Sequence, residues 1–436
     1  MSTVASTWLD SLLSGHELFP EHRAGCWVNG LRADALERAH ALTLPTPRDE
    51  DWRFTDLSPL YRLAFRAPVA AGALDAASLA PFDVAEAPLR LTFVDGHFVP
   101  RLSRLAEAGG ALVLPLAEAL ESHAELVRAH LGGCVANGGS AFAAINTAYL
   151  HDGLFLHAPR GVRVPPVHVL YVSTRADVAV SPRLLVIADA ASELVLVEDY
   201  VAVHQDTYGV NVVAEVVAGP GARVRHMRLQ HDSKNAFHIG TTGVRLDRDA
   251  QYGALAVAFG ARISRLDLHL TQAGPGARCE LDGLALLAGR QLADTHSFID
   301  HAAADGSSRQ EHRCIVDDGA HAVFNGRILV REGAQRTNSA QQSRNLLLSD
   351  KARVDAKPQL EIFADDVKCA HGATVGQLEA EEVFYLRSRG LSESAARAML
   401  TYAFAAGLVN RIALPSVVAR LRETLTARTG NTEIVR

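Results

Sequence analysis

Apolar and polar positions alternate with different periods along the chain, and the changes of period divide it into three stretches. In residues 7–13 the apolar positions recur at helical spacing, and residues 32–39 are rich in helix-forming side chains. A third helical pattern covers residues 116–130 and ends at a pair of glycines. The pattern therefore predicts a mainly helical N-terminal region over residues 1–141.

From residue 142 to residue 376 the apolar residues come in short runs typical of β-strands. The clearest runs are 154–157, 167–172, 184–187 and 193–198. Small turns of the form Gly-Ala-X recur between the runs, beginning at Gly221, Gly260, Gly276, Gly319 and Gly333. Many short strands without intervening helices exclude a doubly wound α/β sheet and leave a sandwich, a barrel or a β-solenoid. The recurrence of similar units favours the solenoid, although their spacing is irregular.

Residues 377–436 return to helical spacing and predict a C-terminal helical domain. The first helix is expected to end at Gly390, because glycine readily adopts the left-handed conformation that commonly follows a helix. Ser392 is expected to cap a second helix that continues to about residue 412. Pro415 is expected to open the third helix, since proline suits the first helical turn.

The junction between the second and third stretches carries the strongest candidate for chemistry. Residues 357–362 alternate polar and apolar side chains, which predicts a strand with one buried face. Cys369 and His371 follow two residues apart, so on a strand they point to the same side, about 6.6 Å apart. Thiolate and imidazole are ligands for iron, iron–sulfur clusters and zinc, but two ligands are too few for a closed site. From the residues alone, a buried cysteine beside a hydrogen-bonded histidine is the simpler interpretation.

His312 and Cys314 repeat the same spacing in the opposite order and form a second candidate for iron handling. Other histidines lie nearby, at positions 296, 301 and 321. Because the chain contains 19 histidines, chance clustering is the competing explanation for this group.

Composition and missing motifs narrow the possible function classes. The chain has 436 residues, 48% of them hydrophobic, and a net charge of −6, which argues against a general nucleic-acid or anionic-membrane surface. Five cysteines without CxxC spacing indicate reduced thiols rather than a disulfide framework. The first residues lack the features of a signal peptide, and no apolar run is long enough to span a membrane, so we expect a soluble, cytoplasmic protein. No P-loop, HExxH or GxSxG motif is present.

A longer passage carries a resemblance to a known family. The sequence KPQLEIFADDVKCAHGATVGQL, followed closely by EEVFYLRSRG, resembles the C-terminal signature of the SufB/SufD family, the scaffold subunits of the SUF iron–sulfur assembly machinery. An acidic-Trp-basic-aromatic-Thr passage at residues 51–55 is also similar. The resemblance is strongest to the SufD branch, because the extra cysteines frequent in the SufB branch are absent. It implies a mainly β fold, with a right-handed parallel β-helix over residues 142–376 flanked by helical regions.

The resemblance also implies partners and site residues. His371 matches a functionally required histidine that faces a reactive cysteine of a SufB-like paralogue across a heterodimer, and Cys369 lies beside it. The C-terminal helices would receive a SufC-like ATPase. The candidate docking residues are aromatic and basic side chains on these helices, namely Tyr385, Arg387, Arg389, Tyr402 and Phe404. A non-catalytic scaffold of this kind would bind no cofactor tightly by itself and would hold iron or an iron–sulfur cluster transiently in the complex. A cysteine desulfurase system would deliver sulfur indirectly.

Two alternatives remain open from the sequence. A β-helix also supports carbohydrate-active enzymes, but these are usually secreted and need a constellation of carboxylates, which this sequence does not display. A structural homodimer without a cluster role is the other alternative, and co-purification with a partner ATPase would distinguish it from a scaffold subunit.

Overall fold

The computed structural model describes residues 3–14, 26–135 and 140–429. It is mainly β, with 40% strand and 25% helix, and its core is a parallel β-solenoid of about 8 turns. The helices are α1 (Thr3–Leu13), α2 (Cys26–Ala41), α3 (Leu116–Ser122), α4 (Ala124–His130), α5 (Ala141–Ala148), α6 (Ala380–Ser388), α7 (Glu393–Val409) and α8 (Pro415–Thr429). The expected solenoid between two sets of helices is therefore confirmed.

Strands supply the solenoid wall over most of the chain. They are β1 (Leu89–Val94), β2 (His97–Phe98), β3 (Leu112–Pro115), β4 (Gly153–Ala158), β5 (Val167–Ser173), β6 (Ala179–Val180), β7 (Arg183–Ala188), β8 (Glu193–Ala202), β9 (Gly209–Ala218), β10 (Arg223–His231), β11 (Phe237–Leu246), β12 (Gln251–Ala258), β13 (Ile263–Gln272), β14 (Arg278–Leu287), β15 (Leu292–His301), β16 (Ser307–Val316), β17 (His321–Val330), β18 (Asn338–Leu347), β19 (Arg353–Ile362) and β20 (Lys368–Gly376). Each of the four apolar runs noted in the sequence lies within one of these strands.

From β7 onwards, successive strands alternate between two sheets. The first sheet has the order β2-β1-β5-β8-β10-β12-β14-β16-β18-β20, and the second runs β19-β17-β15-β13-β11-β9-β7-β4-β3, with β6 beside β9. Partners in neighbouring coils lie 27 residues apart for Gln251 and Arg278 but 31 apart for Ser307 and Asn338. This variation explains why the sequence shows recurring turns without a strict repeat.

The corners of the solenoid use the Gly-Ala turns that the sequence indicated. All five lie between consecutive strands, and two of the glycines, Gly221 and Gly276, have positive φ angles of 69° and 71°. The alanine of each turn is fully buried; these residues are Ala222, Ala261, Ala277, Ala320 and Ala334. A small side chain is required there because it enters the solenoid core at a sharp bend.

The N-terminal region is less helical than the sequence predicted. Strand β1 lies well before residue 142 and pairs in parallel with β5, and β3 pairs with β4, so both strands extend the solenoid sheets. The helix expected over residues 116–130 is two helices that break at His123. Alternation in a strand as short as β1 is too weak to be recognised without its neighbours.

The N-terminal segment is attached to the outer face of the second sheet. The guanidinium of Arg265 lies 3.7 Å from the centroid of the Trp52 ring and donates a hydrogen bond to the carbonyl of Asp51. The Thr55 hydroxyl donates to the buried carboxylate of Asp294 over 2.5 Å. Trp52 therefore fastens this segment to the second sheet.

The C-terminal helices follow the predicted boundaries closely. Gly390 has a φ of 96° after α6, and the Ser392 hydroxyl accepts a hydrogen bond from the amide of Ala395 at the start of α7. Helix α7 ends at Val409, slightly earlier than expected, and Pro415 begins α8. Residues 430–436 of the predicted helical domain lie outside the described residues. Within the described ranges, no helix has both the length and the hydropathy of a membrane-spanning segment.

Candidate functional site

Cys369 and His371 lie on β20, the last strand of the first sheet. Cys369 is in register with Ser339, and His371 with Gln341, both on the neighbouring strand β18. Ser339 and Gln341 are buried and face the solenoid interior. Because register partners in a parallel sheet share a face, Cys369 and His371 also point towards the solenoid axis. The structure therefore brings both predicted residues to one face of one strand.

Within the part of the chain that the structure describes, no further coil covers the two side chains. His371 is exposed and Cys369 is partly buried, although their register partners in the preceding coil are buried. Large apolar side chains are uncovered beside them: Ile362 is 41% exposed, Phe363 64% and Val375 50%. We call this surface, formed by β19 and β20, the open end of the solenoid.

The open end also explains a departure from the expected burial. Residues 357–362 were predicted to have one buried face, but all of β19 is partly buried or exposed. On the preceding strand β17 the alternate residues Ala322, Phe324 and Ile328 are fully buried. The apolar alternation of β19 is therefore present, but no further coil of the described chain covers it, and Leu360 packs only partly buried against the core.

Burial changes the acidity of the Cys369 thiol. Desolvation raises the pKa of Cys369, and a backbone contact with Ser339 lowers it by less. The thiol is therefore protonated at neutral pH, and a metal ion that binds there must displace the proton. Among the described residues, no group of three or more His, Cys, Asp or Glu side chains is arranged to hold a metal ion.

His312 and Cys314 lie inside the solenoid rather than at the open end. The two side chains are 4% and 1% exposed, and the Cys314 Sγ lies 3.4 Å from the His312 Nδ1. The His312 ring stacks on Phe324, with centroids 4.8 Å apart. Burial lowers the pKa of His312 to about 4 and raises that of Cys314 to about 12. Their strand, β16, is two strands from β20, about 10 Å away, so the structure does not join the two Cys-His pairs.

The candidate docking residues fall into two groups. Helix α6 has no buried residue, and Tyr385 is 57% exposed, with the Arg389 guanidinium 5.2 Å from its ring centroid. Arg387 pairs with Glu393 at 3.4 Å. Tyr402 and Phe404 on α7 instead pack partly buried against the apolar cluster between the helices and the first sheet. The residues of α6 are therefore accessible to a partner, whereas those of α7 also hold the helix on the solenoid.

A polar network inside the solenoid was missed by the sequence reasoning. Although burial opposes ionisation, a hydrogen bond from His226 and the charge of Arg228 lower the pKa of Glu198 to about 2. The neighbouring Arg228 also donates to His238. The available signal was the presence of charged residues at the inward positions of otherwise apolar strands. It could be used only after the inward face of each strand was known.

Comparisons with known proteins agree with this architecture. The family described as "SUF system FeS cluster assembly, SufBD core domain" matches residues 171–404, and the "SufBD protein N-terminal region" matches residues 6–168. An iron–sulfur cluster assembly SufBD family protein of Synechocystis is 40% identical over 91% of this chain and 90% of its own length.

Some of the relatives carry a more specific name. The iron–sulfur cluster assembly protein SufD of Escherichia coli is 30% identical over 85% of each chain, and that of Bacillus subtilis is 27% identical over 92% of this chain and 94% of its own. The matched residues include the whole solenoid from β5 onwards, with the open end and the first part of the C-terminal helices. This chain therefore belongs to the SufB/SufD family of iron–sulfur cluster assembly proteins, with a leaning towards SufD.

Proposed function

We propose that this chain is a non-catalytic, cytoplasmic scaffold subunit that pairs through its open end with a SufB-like paralogue. The observation that carries the proposal is the uncovered last coil, where inward-facing side chains lie in solvent beside free strand edges. Ile362 and Val375 would be buried if a second solenoid stacked on β19 and β20. An exposed apolar surface next to unpaired strands is a typical association site.

The cargo of this interface is iron or a nascent iron–sulfur cluster. His371 supplies an imidazole and Cys369 a thiol on the same side of β20, and both groups are suitable ligands for iron or an iron–sulfur cluster. Two donors do not complete a coordination sphere, so the partner chain must supply the others. The chain by itself would hold no cofactor tightly. Sulfur would arrive indirectly, from a cysteine desulfurase system.

A SufC-like ATPase would dock on the exposed helix α6. Tyr385, Arg387 and Arg389 provide an aromatic and basic surface there, and Phe384 beside them is 71% exposed. Tyrosine and arginine are common anchors in protein interfaces. Because the sequence contains no P-loop, the ATP would be bound and hydrolysed by that partner.

The proposed mechanism is a shift between two arrangements of the complex. ATP binding would draw the two ATPases together, rotate the C-terminal helices and open the scaffold interface near His371. Ion pairs connect these helices to the solenoid: Arg411 contacts Asp282 and Glu311, and Arg420 contacts Asp199. A rotation of α7 and α8 would therefore displace strands of the first sheet.

The iron role is tested by anaerobic reconstitution with iron and sulfide, with this chain alone and with its SufB-like partner and ATPase. We expect visible cluster absorbance in the complex and its loss in His371→Ala. His40→Ala is the control, because His40 is 48% exposed on the remote helix α2. Normal cluster formation in His371→Ala would remove this residue from the mechanism.

Pairing is tested with two substitutions on the same strand. Val375→Asp places a charge on the inward face of the open end, whereas Thr374→Asp places it at the next, outward position. Co-purification with the SufB-like chain should be lost for the first and retained for the second. Equal effects would contradict the proposed surface, and a stable homodimer that recovers no ATPase would support the structural alternative.

A further inference from the structure

The outer face of the first sheet carries a strip of positive charge that the proposed function does not use. Helices α7 and α8 cover the later parts of these strands with an apolar cluster, but from β10 to β20 the first two outward positions of each strand are exposed or half-buried. The cations of the strip are Arg163, Arg223, Arg225, Arg278, Arg309 and Lys368, and its carboxylates are Glu193 and Glu280. We call this surface the arginine strip.

Strand register explains how residues far apart in sequence form one surface. Arg223, Gln251 and Arg278 are successive register partners on β10, β12 and β14, and Lys368 continues the same row on β20. Neighbouring strands lie about 4.8 Å apart, so the row from β10 to β20 is about 24 Å long. This length matches an extended peptide of about seven residues.

The part of the strip between β8 and β14 is a groove of about 570 Å³. Its floor includes Gly253, and the Arg225 Nη1 would lie 3.7 Å from a Cβ added at that glycine. The missing side chain therefore leaves room between Arg225 on one strand and Arg278 two strands away. A volume of this size is within the range of ligand-binding clefts in proteins.

The charges in the groove are only partly neutralised. Glu193 accepts from Arg163 at 2.9 Å and from Arg223 at 3.4 Å, so one carboxylate serves two guanidinium groups. Within the described chain, the side chains of Arg225 and Arg278 make no hydrogen bond or ion pair. At the margin of the strip, Arg309 contacts Glu311 at 3.4 Å. The six cations of the strip still outnumber its two carboxylates, in contrast to the net charge of −6 of the whole chain.

We propose that the arginine strip is a docking surface for an extended acidic segment of a partner protein. Carboxylates of such a segment would pair with Arg225 and Arg278 across the floor at Gly253, because guanidinium groups bind carboxylates in a matching fork geometry. Charge complementarity of this kind mainly accelerates association and selects the partner.

The composition of the groove favours a polypeptide over a nucleic acid. Glu193 and Glu280 lie among the cations and would repel a continuous phosphate backbone. The aromatic residue that lines the groove, Tyr252, is 2% exposed, so it offers no surface on which bases could stack. A peptide can place acidic side chains opposite the arginines and neutral ones opposite the two carboxylates.

The test measures fluorescence anisotropy of a short labelled peptide of alternating Glu and Ser with the full-length chain. We expect saturable binding that weakens as salt rises, and a loss of affinity of about tenfold or more in the Arg225→Glu/Arg278→Glu double variant. The control is Arg290→Glu, an exposed arginine in the turn at the opposite end of β14, which should leave binding nearly unchanged.

Gly253→Gln tests the groove without changing any charge. The Cβ of the added side chain would make only ordinary van der Waals contacts with Arg225, so we expect the fold to persist while the groove is filled and peptide binding falls. Absence of peptide binding to the unmodified chain, or equal losses in Arg290→Glu, would overturn the proposal. Tighter binding of a single-stranded oligothymidylate, lost in the same double variant, would assign the strip to nucleic acid instead. None of these outcomes depends on the open end.

Discussion

The buried ion pair between the solenoid and α8 gives a prediction whose size follows from the structure. Asp199 is fully buried on β8, and Arg420 of α8 donates to its Oδ2. The His168 Nε2 lies 3.6 Å away from the same oxygen. Although burial opposes ionisation, the charge of Arg420 and the contact with His168 lower the pKa of Asp199 from 3.8 to about 2. The carboxylate is therefore held ionised by a helix more than 200 residues later in the chain.

Removing Arg420 should loosen the C-terminal helices. The shift of the Asp199 pKa corresponds to about 2 kcal/mol, and removing one partner of a buried pair typically costs about 3 kcal/mol or more. A loss of about 3 kcal/mol accelerates amide exchange through local opening on the order of 100-fold. We therefore expect this acceleration in α8 of Arg420→Ala at neutral pH, measured by hydrogen–deuterium exchange and mass spectrometry.

Two variants separate the ion pair from a general effect on the helix. Arg422→Ala is the matched control, since Arg422 is exposed on the same helix and its guanidinium donates a hydrogen bond to the side-chain oxygen of Asn410. Asp199→Asn in the Arg420→Ala background should recover part of the protection, because the buried charge is removed. If Arg420→Ala exchanges like the unmodified chain, or no faster than Arg422→Ala, the assigned role of the pair is wrong.

The same pair predicts the direction of a pH effect. A carboxylate whose folded pKa is depressed contributes stability above its ordinary pKa and loses it as the pH falls. The contribution of Asp199 to stability should therefore be complete above about pH 4 and disappear towards pH 2. It is measured in the unmodified chain as the pH dependence of the protection of the α8 amides against hydrogen exchange. The Arg420→Ala variant should lack this component, whereas an identical acid profile would contradict the assignment.

Three further predictions concern single residues. Because burial raises the pKa of the Cys369 thiol, its alkylation by iodoacetamide should be slow at neutral pH and should accelerate only above the pKa of a free cysteine. Mass spectrometry of the peptide that contains Cys369 measures the rate, and fast reaction at neutral pH would contradict this prediction. Loss of the cap in Ser392→Ala should cost about 1 kcal/mol and increase exchange at the start of α7 selectively. A Cβ at Gly283 would lie 2.2 Å from the His312 ring, so Gly283→Ala should lower the free energy of unfolding by about 1–3 kcal/mol, measured by urea denaturation. Gly372→Ala is the control and should leave it unchanged, because a Cβ at Gly372 would meet no atom within 4 Å.

Local features of this fold could be assigned from the sequence because they depend on neighbours in the chain. The turn beginning at Gly221 and the cap at Ser392 follow from the conformational preferences of those residues. The period of two in the apolar runs identified strands, and recurrence of the runs favoured a solenoid. The placement of Cys369 and His371 on one side of a strand also required only their spacing.

The tertiary structure decided the features that depend on contacts between distant residues. The sequence could not show that β1 joins the first sheet, since its pairing with β5 spans a long insertion. It also could not show which of the two Cys-His pairs is buried and which is accessible. His312 and Cys314 are enclosed by the following coil, while no following coil among the described residues covers Cys369 and His371.

The sequence by itself thus determined the kind of elements after residue 142, favoured the solenoid and identified the passage that carries the candidate ligands. Only the tertiary structure decided which faces are buried, where the solenoid remains open and which charges meet. The physical reason is the range of the interactions. Periodicity and turn chemistry act over a few residues, whereas the burial of Asp199 against Arg420 exists only after the chain has folded around it.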